Sequence, residues 1–160
     1  MKIPKAIQEL QLKVQRMQTP SFQKKVMKFL FQQKEIRDLI IKLNTIDQLY
    51  RKGINSLGES LGEYTDYTKT IKQDTGQRYD HITLNDTGAF YNSFRVVFRA
   101  DSLVIEANPI KDDTNLFTEF GIEILGLTEE SIGKLKPTLI KFLLPELKKY
   151  FLKGKQSQLN

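Results

Sequence analysis

Apolar residues recur at the three- and four-residue spacing of an amphipathic helix at the start of the chain. We expect this first helix to end near Gln18, because Thr19 and Pro20 follow. Thr19 is a typical N-cap, and Pro20 would stand at the first position of a second helix, where its missing N–H does no harm. The apolar stripe of the first helix comprises Ile3, Ile7, Leu10, Val14 and Met17.

A wider apolar stripe predicts that the second helix lies on a core. This helix is expected to run to about Lys52, before Gly53, or to break near Asn44 and Thr45. The two helices are predicted to pack as a pair, and the alternative is that the first helix reaches a neighbouring subunit. The second stripe comprises Phe22, Val26, Phe29, Leu30, Ile36, Leu39, Ile40, Leu43, Ile46 and Leu49.

Residues 56–83 form a long connection, with one short helical turn predicted around residues 67–73. Connections longer than about 12–15 residues are uncommon in compact domains unless they serve a function. Its aromatic and cationic residues suit either nucleic acid or a protein partner, and its four acidic residues favour the protein partner. The aromatic and cationic residues are Tyr64, Tyr67, Tyr79, Lys69, Lys72 and Arg78, and the acidic ones are Glu59, Glu63, Asp66 and Asp74.

Alternating apolar and polar residues predict a β-hairpin farther along the chain. Its strands are expected over residues 94–99 and 103–107, joined by a turn at residues 100–102. Two strands alone are marginally stable, so the hairpin must pack on a helix or join a larger sheet. Strands of a neighbouring subunit are one way to complete such a sheet.

The C-terminal region is predicted to be helical and amphipathic. Thr128 is expected to cap a helix, and the two glutamates that follow it favour the positive helix end. Pro137 is expected to end this short helix and open another, and Pro145 to kink or restart that one. Gly154 should stop the helix, and the polar residues after it should fray.

These elements together predict an α+β fold. It has N-terminal helices, a small antiparallel β-sheet with a hairpin, a long loop and a C-terminal amphipathic helix. At 160 residues the chain is predicted to hold a helical extension at 1–18, a single α+β domain at 19–154 and a polar tail at 155–160.

The composition limits the chemistry that the chain can perform. It has no cysteine, which excludes disulfides and thiolate chemistry, and His81 alone cannot form a multi-histidine metal site. Asp112 and Asp113 are the residue types that bind Mg²⁺ or Ca²⁺, but a solvated loop is favoured, so neither metal nor cofactor is predicted. We expect no membrane span and no secretion signal.

Charge is strongly segregated along the sequence. Residues 1–57 carry 12 basic and 4 acidic residues, residues 58–131 carry 6 and 14, and residues 132–160 carry 7 and 1. This pattern fits head-to-tail packing of subunits, and it equally fits neutralisation of the segments within one fold.

A polar turn at residues 84–88 leads into the apolar residues that precede the hairpin. Asp86 and Gly88 supply its turn chemistry. Asp86-Thr87-Gly88 also resembles the turn of aspartic proteases, where paired carboxylates share a proton, but this helix-rich chain disfavours that interpretation. Catalysis by His81 beside Asp80 is disfavoured too, since a lone histidine in a polar loop is more often a surface residue.

The order of these features resembles the tail-completion, or head–tail joining, proteins of tailed bacteriophages. The resemblance covers roughly residues 49–152. It is carried by Gly62-Glu63-Tyr64-Thr65-Asp66-Tyr67-Thr68, by residues 69–76, by residues 84–93, by the hairpin, by Glu119-Phe120-Gly121 and by the last helix.

The resemblance implies a non-enzymatic virion protein that forms a homo-oligomeric ring, hexameric or dodecameric, at the neck or tail end. The ring would join the head connector or adaptor to the tail tube around the packaged DNA, after assembly in the host cytoplasm. The implied structural-turn and subunit-interface residues are Tyr64, Thr65, Tyr67, Thr68, Lys69, Asp86, Thr87, Gly88, Phe90, Ser93, Phe94, Glu119, Phe120 and Gly121.

A small basic nucleic-acid-binding module is the alternative function. The basic N-terminal helices and a pI of about 9.4 favour it. The acidic centre of the chain argues against broad contact with DNA.

Overall fold

The computed structural model describes residues 5–99, 102–153 and 157–159, and its fold is α+β. Within those residues the helices are α1 (Lys5–Met17), α2 (Pro20–Gln32), α3 (Lys34–Lys42), a π-helical segment (Leu43–Tyr50), α4 (Asp66–Asp74), α5 (Ala89–Asn92), α6 (Leu116–Phe120), a 3-10 turn (Ile122–Ile124) and α7 (Glu129–Lys153). The strands are β1 (Arg95–Arg99), β2 (Ser102–Glu106), β3 (Ile110–Lys111) and β4 (Thr114–Asn115).

The chain divides into two compact units. The helical unit comprises Met1–Ile36 and Lys136–Asn160, and the central unit comprises Arg37–Leu135. The domain boundaries predicted after residues 18 and 154 stay predictions.

The helical unit is built on aromatic packing between α2 and α7. The rings of Phe22 and Tyr150 lie 5.1 Å apart. Thr19 caps α2 as predicted, since its Oγ1 accepts a hydrogen bond from the N–H of Phe22 at 3.3 Å, with Pro20 following at the first helical position. In α1, Lys13 Nζ donates to the carbonyls of Tyr150 and Phe151, each at 3.0 Å. No residue of α1 is buried.

The prediction that the second helix continues from Pro20 to about Lys52 was wrong. The helix ends at Gln32, because Gln33 adopts extended backbone (φ −72°, ψ 120°). The side-chain amide of Gln33 donates to the carbonyl of Phe29 at 2.9 Å, which satisfies a carbonyl that the interrupted helix leaves open. A second change follows at Leu43, where the helix widens to π geometry.

The π-helical segment carries two buried amides that hold the chain just before α7. Asn44 donates to the carbonyl of Ile124 at 3.0 Å and accepts from the N–H of Gly126 at 2.8 Å. Gln48 donates to the carbonyl of Gly126 and accepts from the N–H of Thr128, both at 2.9 Å. Because buried polar groups are costly unless paired, these four hydrogen bonds fix the loop at residues 124–128.

The C-terminal region forms one helix despite its two prolines. α7 contains both Pro137 and Pro145, so the end predicted at Pro137 and the restart predicted at Pro145 were wrong, while the alternative of a kink at Pro145 stays a prediction. A proline within a helix deprives the carbonyl four residues earlier of its N–H partner. Those carbonyls belong to Gly133 and Lys141, both exposed residues, so water can satisfy them. Thr128 does cap α7, accepting from the N–H of Ser131 at 3.2 Å.

The end of the chain is more ordered than predicted, as far as the structure describes it. Leu159 is buried, and Ser157 donates to the carbonyl of Glu146 at 3.2 Å. The fraying predicted for residues 157–159 was therefore wrong. The predicted stop at Gly154 lies outside the described residues.

The predicted β-hairpin is confirmed. β1 and β2 pair antiparallel, with Val97 opposite Val104 and Arg95 opposite Glu106. The predicted turn residues Ala100 and Asp101 lie outside the described part of the chain. A second, two-residue hairpin pairs β3 with β4. One cluster of buried apolar residues in the central unit consists of Leu49, Phe90, Phe94, Leu116 and Ile124.

Candidate functional site

A groove of about 610 Å³ opens in the central unit. It lies between α4 with its flanking residues, residues 82–86, the β3–β4 turn and α6, and we call it the central groove. Its apolar lining comprises Ile71, Ile82, Leu84, Leu116 and Phe120. Its charged lining comprises four acids, Glu63, Asp86, Asp112 and Glu119, and two cations, Lys72 and Lys111.

Two residues that line the central groove have unusual backbone geometry. Leu84 has a φ of 55° and Asp112 a φ of 50°. In the described part of the chain, these two are the residues other than glycine with left-handed backbone. Left-handed backbone costs Leu84 about 1–2 kcal/mol, so the rest of the fold must hold this residue in place, whereas aspartate adopts it readily in a two-residue hairpin turn such as that of Asp112. Such strain concentrates at ligand-binding and switching regions, which makes the central groove the candidate site.

Tyr64 lines one wall of the central groove and is held there by hydrogen bonds to the buried Thr83. The phenol oxygen of Tyr64 accepts from the N–H of Thr83 at 3.0 Å and lies 3.1 Å from the hydroxyl of the same threonine. The carbonyl of Thr83 accepts from the hydroxyl of Tyr91, whose pKa is raised by burial. These hydrogen bonds fix Tyr64 within its own chain, and its ring lines the groove.

Lys72 lies at the base of the central groove and is 7% exposed. Its ammonium donates to Oε1 of Gln77 at 2.7 Å and to the carbonyl of Asn85 at 3.3 Å. It also sits 4.9 Å from the centre of the Tyr64 ring, a cation–π distance. Because Lys72 is buried, it is not free to contact nucleic acid, although the sequence placed it among the cations suited to that role.

Asp86 closes the groove on the side of the β3–β4 turn. Its carboxylate pairs with Lys111 at 3.0 Å. The hydrogen bond from Lys111, followed by the nearby charges, holds the pKa of Asp86 below its usual value. The charged partner of Asp86 is thus a lysine, and not a second carboxylate as in the aspartic-protease pair.

The turn after Asp86 has the geometry that its residues predict. Gly88 has a φ of 82°, and the Thr87 hydroxyl accepts from the N–H of Ala89 at 3.3 Å. Ser93 follows α5 and ties it to the connection between the two hairpins, since its hydroxyl donates to the carbonyl of Phe90 at 2.7 Å and accepts from the N–H of Asn108 at 2.9 Å. Phe90 and Phe94 pack edge-on in the core, with ring centres 5.1 Å apart.

The remaining predicted residues lie on α4 and α6. Thr65 caps α4, accepting from the N–H of Thr68 at 3.3 Å, and Lys69 pairs with Glu63 at 2.7 Å. Tyr67 is exposed. Gly121 ends α6 with a φ of 80°, next to the side chain of Glu123.

The central groove brings together six of the fourteen predicted residues. These are Tyr64, Thr65, Thr68, Asp86, Glu119 and Phe120. Phe90 and Phe94 belong to the core instead, and Tyr67, Lys69, Thr87, Gly88, Ser93 and Gly121 are not among the lining residues.

Sequence reasoning missed several residues that build the site and its support. The sequence marks Thr83 only as the end of a loop and Asn44 only as a break in a helix. The sequence did contain a sign of the role of Gln48, because Asn44 and Gln48, four residues apart, interrupt an otherwise apolar helix face. His81 was expected at the surface, but its side chain is 15% exposed and its Nε2 lies 2.9 Å from the carbonyl of Tyr50.

Other candidate chemistry is not assembled in the described part of the chain. Asp112 and Asp113 are exposed in the β3–β4 turn. No group of three or more acidic or histidine side chains is placed to hold a metal ion among the residues searched. Within the same residues, no helix has the length and apolar character needed to cross a membrane.

Comparison with protein-family models, curated protein sequences and solved structures gave no match to this chain. The function is therefore inferred from the residues and contacts described above.

Proposed function

We propose that the protein is a structural, non-enzymatic virion protein of a tailed bacteriophage. In this role it completes the tail or neck as one subunit of a ring, hexameric or dodecameric, that joins the head connector or adaptor to the tail tube. The packaged DNA would pass through the ring without sequence-specific contact, and assembly would take place in the host cytoplasm. No cofactor is required.

The observation that supports this proposal most directly is the convergence of the family-like segments at one surface. Tyr64 and Thr65 come from the segment at residues 62–68, Asp86 from residues 84–93, and Glu119 and Phe120 from residues 119–121. These segments are separate in the sequence, yet all line the central groove. Their shared lining gives these segments one surface through which they can contact a neighbouring subunit.

Exposed apolar surface adds support for assembly. α1 leaves Ile7, Leu10 and Val14 about half exposed, and α7 leaves Ile140 and Leu144 similarly open. Apolar residues that cluster at a surface typically mark contacts with other proteins. Burying them between subunits would yield about 25 cal/mol per Å² before the costs of association.

The test is the mass of the purified protein, measured by light scattering, with negative-stain imaging of any large species. Closed rings of six or twelve subunits are the expected result. A protein that stays monomeric at every concentration and salt tested contradicts a self-assembling ring.

The segregation of charge favours one second candidate, a nucleic-acid-binding module. The helical unit contains 14 basic and 3 acidic residues, against 11 and 16 in the central unit. Binding to DNA by the monomer, weakening steeply as salt rises, would favour this candidate. Rings that bind DNA weakly or not at all would favour the virion role.

A further inference from the structure

A second pocket, of about 410 Å³, lies in the helical unit where α2 begins, and we call it the α2 pocket. Arg16 and Lys25 line it, and no acid is among the described residues that do so. No ion pair engages either of these side chains in the part of the chain that the structure describes. The α2 pocket is therefore electropositive, unlike the central groove with its four acids.

Tyr150 of α7 forms one wall of the α2 pocket and contributes an unpaired hydroxyl. The residue is 3% exposed, and its ring packs on that of Phe22. Among the residues that the structure describes, this hydroxyl is the one buried side-chain polar group without a hydrogen-bond partner. A buried hydroxyl normally has a partner, because leaving it unpaired costs free energy. Beside two cations, the partner that fits this hydroxyl is an oxygen of a bound anion.

The first turn of α2 adds a backbone donor to the same pocket. The N–H groups of Phe22 and Gln23 both donate to the carbonyl of Thr19, at 3.1 Å. Ser21 also lines the pocket, and its N–H has no acceptor within the described residues. The first turn contains no acidic residue that would offset the positive end of the helix. Free N–H groups at the start of a helix bind phosphate and other oxyanions.

The end of the chain completes the α2 pocket. Leu159 lines it and is buried. The segment that carries Leu159 is held in place, because the N–H of Gln158 donates to the carboxylate of Glu146 at 3.0 Å. This wall is therefore formed by the folded chain itself, so that binding an anion requires little further ordering.

We infer that the α2 pocket binds a phosphate group. The Tyr150 hydroxyl and the Ser21 N–H donate to its oxygens, and the side chains of Arg16 and Lys25 neutralise its charge. A phosphate monoester offers three acceptor oxygens and carries about −1.5 to −2 charges near pH 7, which matches this set of donors and cations. The site does not depend on the proposed ring, since its described lining residues all belong to the helical unit of one chain.

Titration of the full chain with inorganic phosphate at pH 7 and constant ionic strength tests this site. Calorimetry should show one saturable site, and the unfolding temperature should rise with phosphate, because a ligand of the folded state stabilises it. Tyr150→Phe should weaken phosphate binding by about tenfold or more, since a hydrogen bond to a charged group is lost. Tyr67→Phe is the matched control, because Tyr67 is exposed on α4 of the central unit, and it should leave the affinity unchanged.

The stability of Tyr150→Phe without phosphate supplies a second measurement. Removing an unpaired buried hydroxyl should leave the urea midpoint unchanged or raise it, so that weaker binding by this variant cannot result from unfolding. A Tyr150→Phe protein that is clearly less stable than the unmodified one would show that the hydroxyl already has a partner in the chain, and this would overturn the site.

Two lysine variants distinguish a specific site from general attraction of anions. Lys25→Gln and Lys28→Gln each remove one positive charge from an exposed position of α2, but Lys28 is not among the residues that line the pocket. Lys25→Gln should weaken phosphate binding by about tenfold, and Lys28→Gln should change it little. Equal weakening by both variants, with no effect of Tyr150→Phe, would overturn the site.

A short single-stranded DNA, titrated in the same way, identifies the source of the phosphate group. Binding of the DNA that weakens in Tyr150→Phe assigns the pocket to the backbone of nucleic acid, which the basic excess of the helical unit attracts. Binding of inorganic phosphate alone assigns the pocket to the free ion. No saturable binding of either probe would overturn the site and leave the proposed ring untouched, because the ring is judged by the mass of the assembled protein.

Discussion

Single residues with special backbone or buried polar groups fix the turns and loops of the central unit. Gly88 turns the chain with a left-handed φ, and an added Cβ would meet only ordinary van der Waals contacts there, the nearest at 3.6 Å. The requirement for glycine is therefore conformational and not a matter of space. Asn44 and Gln48 act differently, because each satisfies backbone groups of another segment.

Substituting Gly88 by alanine isolates the conformational requirement. Gly88→Ala should lower the free energy of unfolding by about 1–2 kcal/mol, the cost of left-handed backbone in an ordinary residue. Gly133→Ala is the matched control, because Gly133 lies in α7 with open space around it. It should raise the free energy of unfolding by about 0.5–1 kcal/mol. Urea unfolding of both variants measures the difference, and equal effects would refute the assignment.

The amide of Asn44 gives a second prediction at this scale. Asn44→Ala should cost about 2–4 kcal/mol of stability, because the N–H of Gly126 and the carbonyl of Ile124 lose their partners in a buried place. Asn92→Ala, at an exposed position of α5, should change stability little. Thermal or urea unfolding measures the stability of both variants. A loss of stability in Asn44→Ala no larger than in Asn92→Ala would show that water replaces the hydrogen bonds of the Asn44 amide.

Elements differ in how far the sequence could predict them. The cap at Thr19, the helix around residues 66–74 and the β1–β2 hairpin follow local rules, since turn residues and apolar spacing act over a few positions. The break at Gln33 and the π geometry after Leu43 could not be predicted this way. Both depend on what the helix packs against. Asn44 and Gln48 interrupt the apolar stripe because their side chains bind the loop at residues 124–128, which is distant in sequence.

The candidate site shows the same limit. Asp86, Thr87 and Gly88 could be recognised as a turn from their residue types alone. Lys72 looked like one more loop cation, and only the fold shows that it is enclosed by Tyr64, Gln77 and Asn85. The pattern of apolar and polar residues in one sequence does not show which distant residues come into contact.

The C-terminal part of α7 provides a pH-dependent element. Lys149, and after it the N–H of Gln158, hold the pKa of Glu146 below its ordinary value of 4.5. The carboxylate accepts from that N–H at 3.0 Å, so its ionised form stabilises the segment at residues 157–159. Because the folded pKa is the lower one, this stabilisation is present above about pH 4.5 and is lost as the pH falls through the folded pKa.

The amide resonance of Gln158 should report this change by NMR. Its shift should titrate with a midpoint below pH 4.5, and in Glu146→Gln this titration should disappear. Glu9→Gln, on the exposed α1, should leave it unaltered. A Gln158 resonance that titrates unchanged in Glu146→Gln would show that another group is responsible.

At the scale of the whole molecule, charge is divided between two compact units. The basic excess of the helical unit and the acidic excess of the central unit would attract one copy to another over distances comparable to the Debye length. Such steering sets the rate and orientation of association more than its final strength.

Salt should therefore slow assembly of the proposed ring. Raising sodium chloride from about 0.1 M to about 1 M shortens the Debye length from about 10 Å to about 3 Å. The association rate, followed by stopped-flow light scattering, should fall clearly, while the stability of the subunit changes little. An association rate insensitive to salt would mean that apolar contact alone guides the encounter.

The enclosure of Lys72 makes this residue a natural reporter of chain opening. Acylating reagents attack amines that they can reach, and exposed lysines such as Lys111 and Lys148 will be modified in the folded protein. Lys72 should remain unmodified on that timescale, and mass spectrometry can follow both in one digest. The rate at which Lys72 becomes labelled then measures how often the wall between Tyr64 and Asn85 opens, and any occupant that closes the wall should slow that labelling without changing it at Lys148.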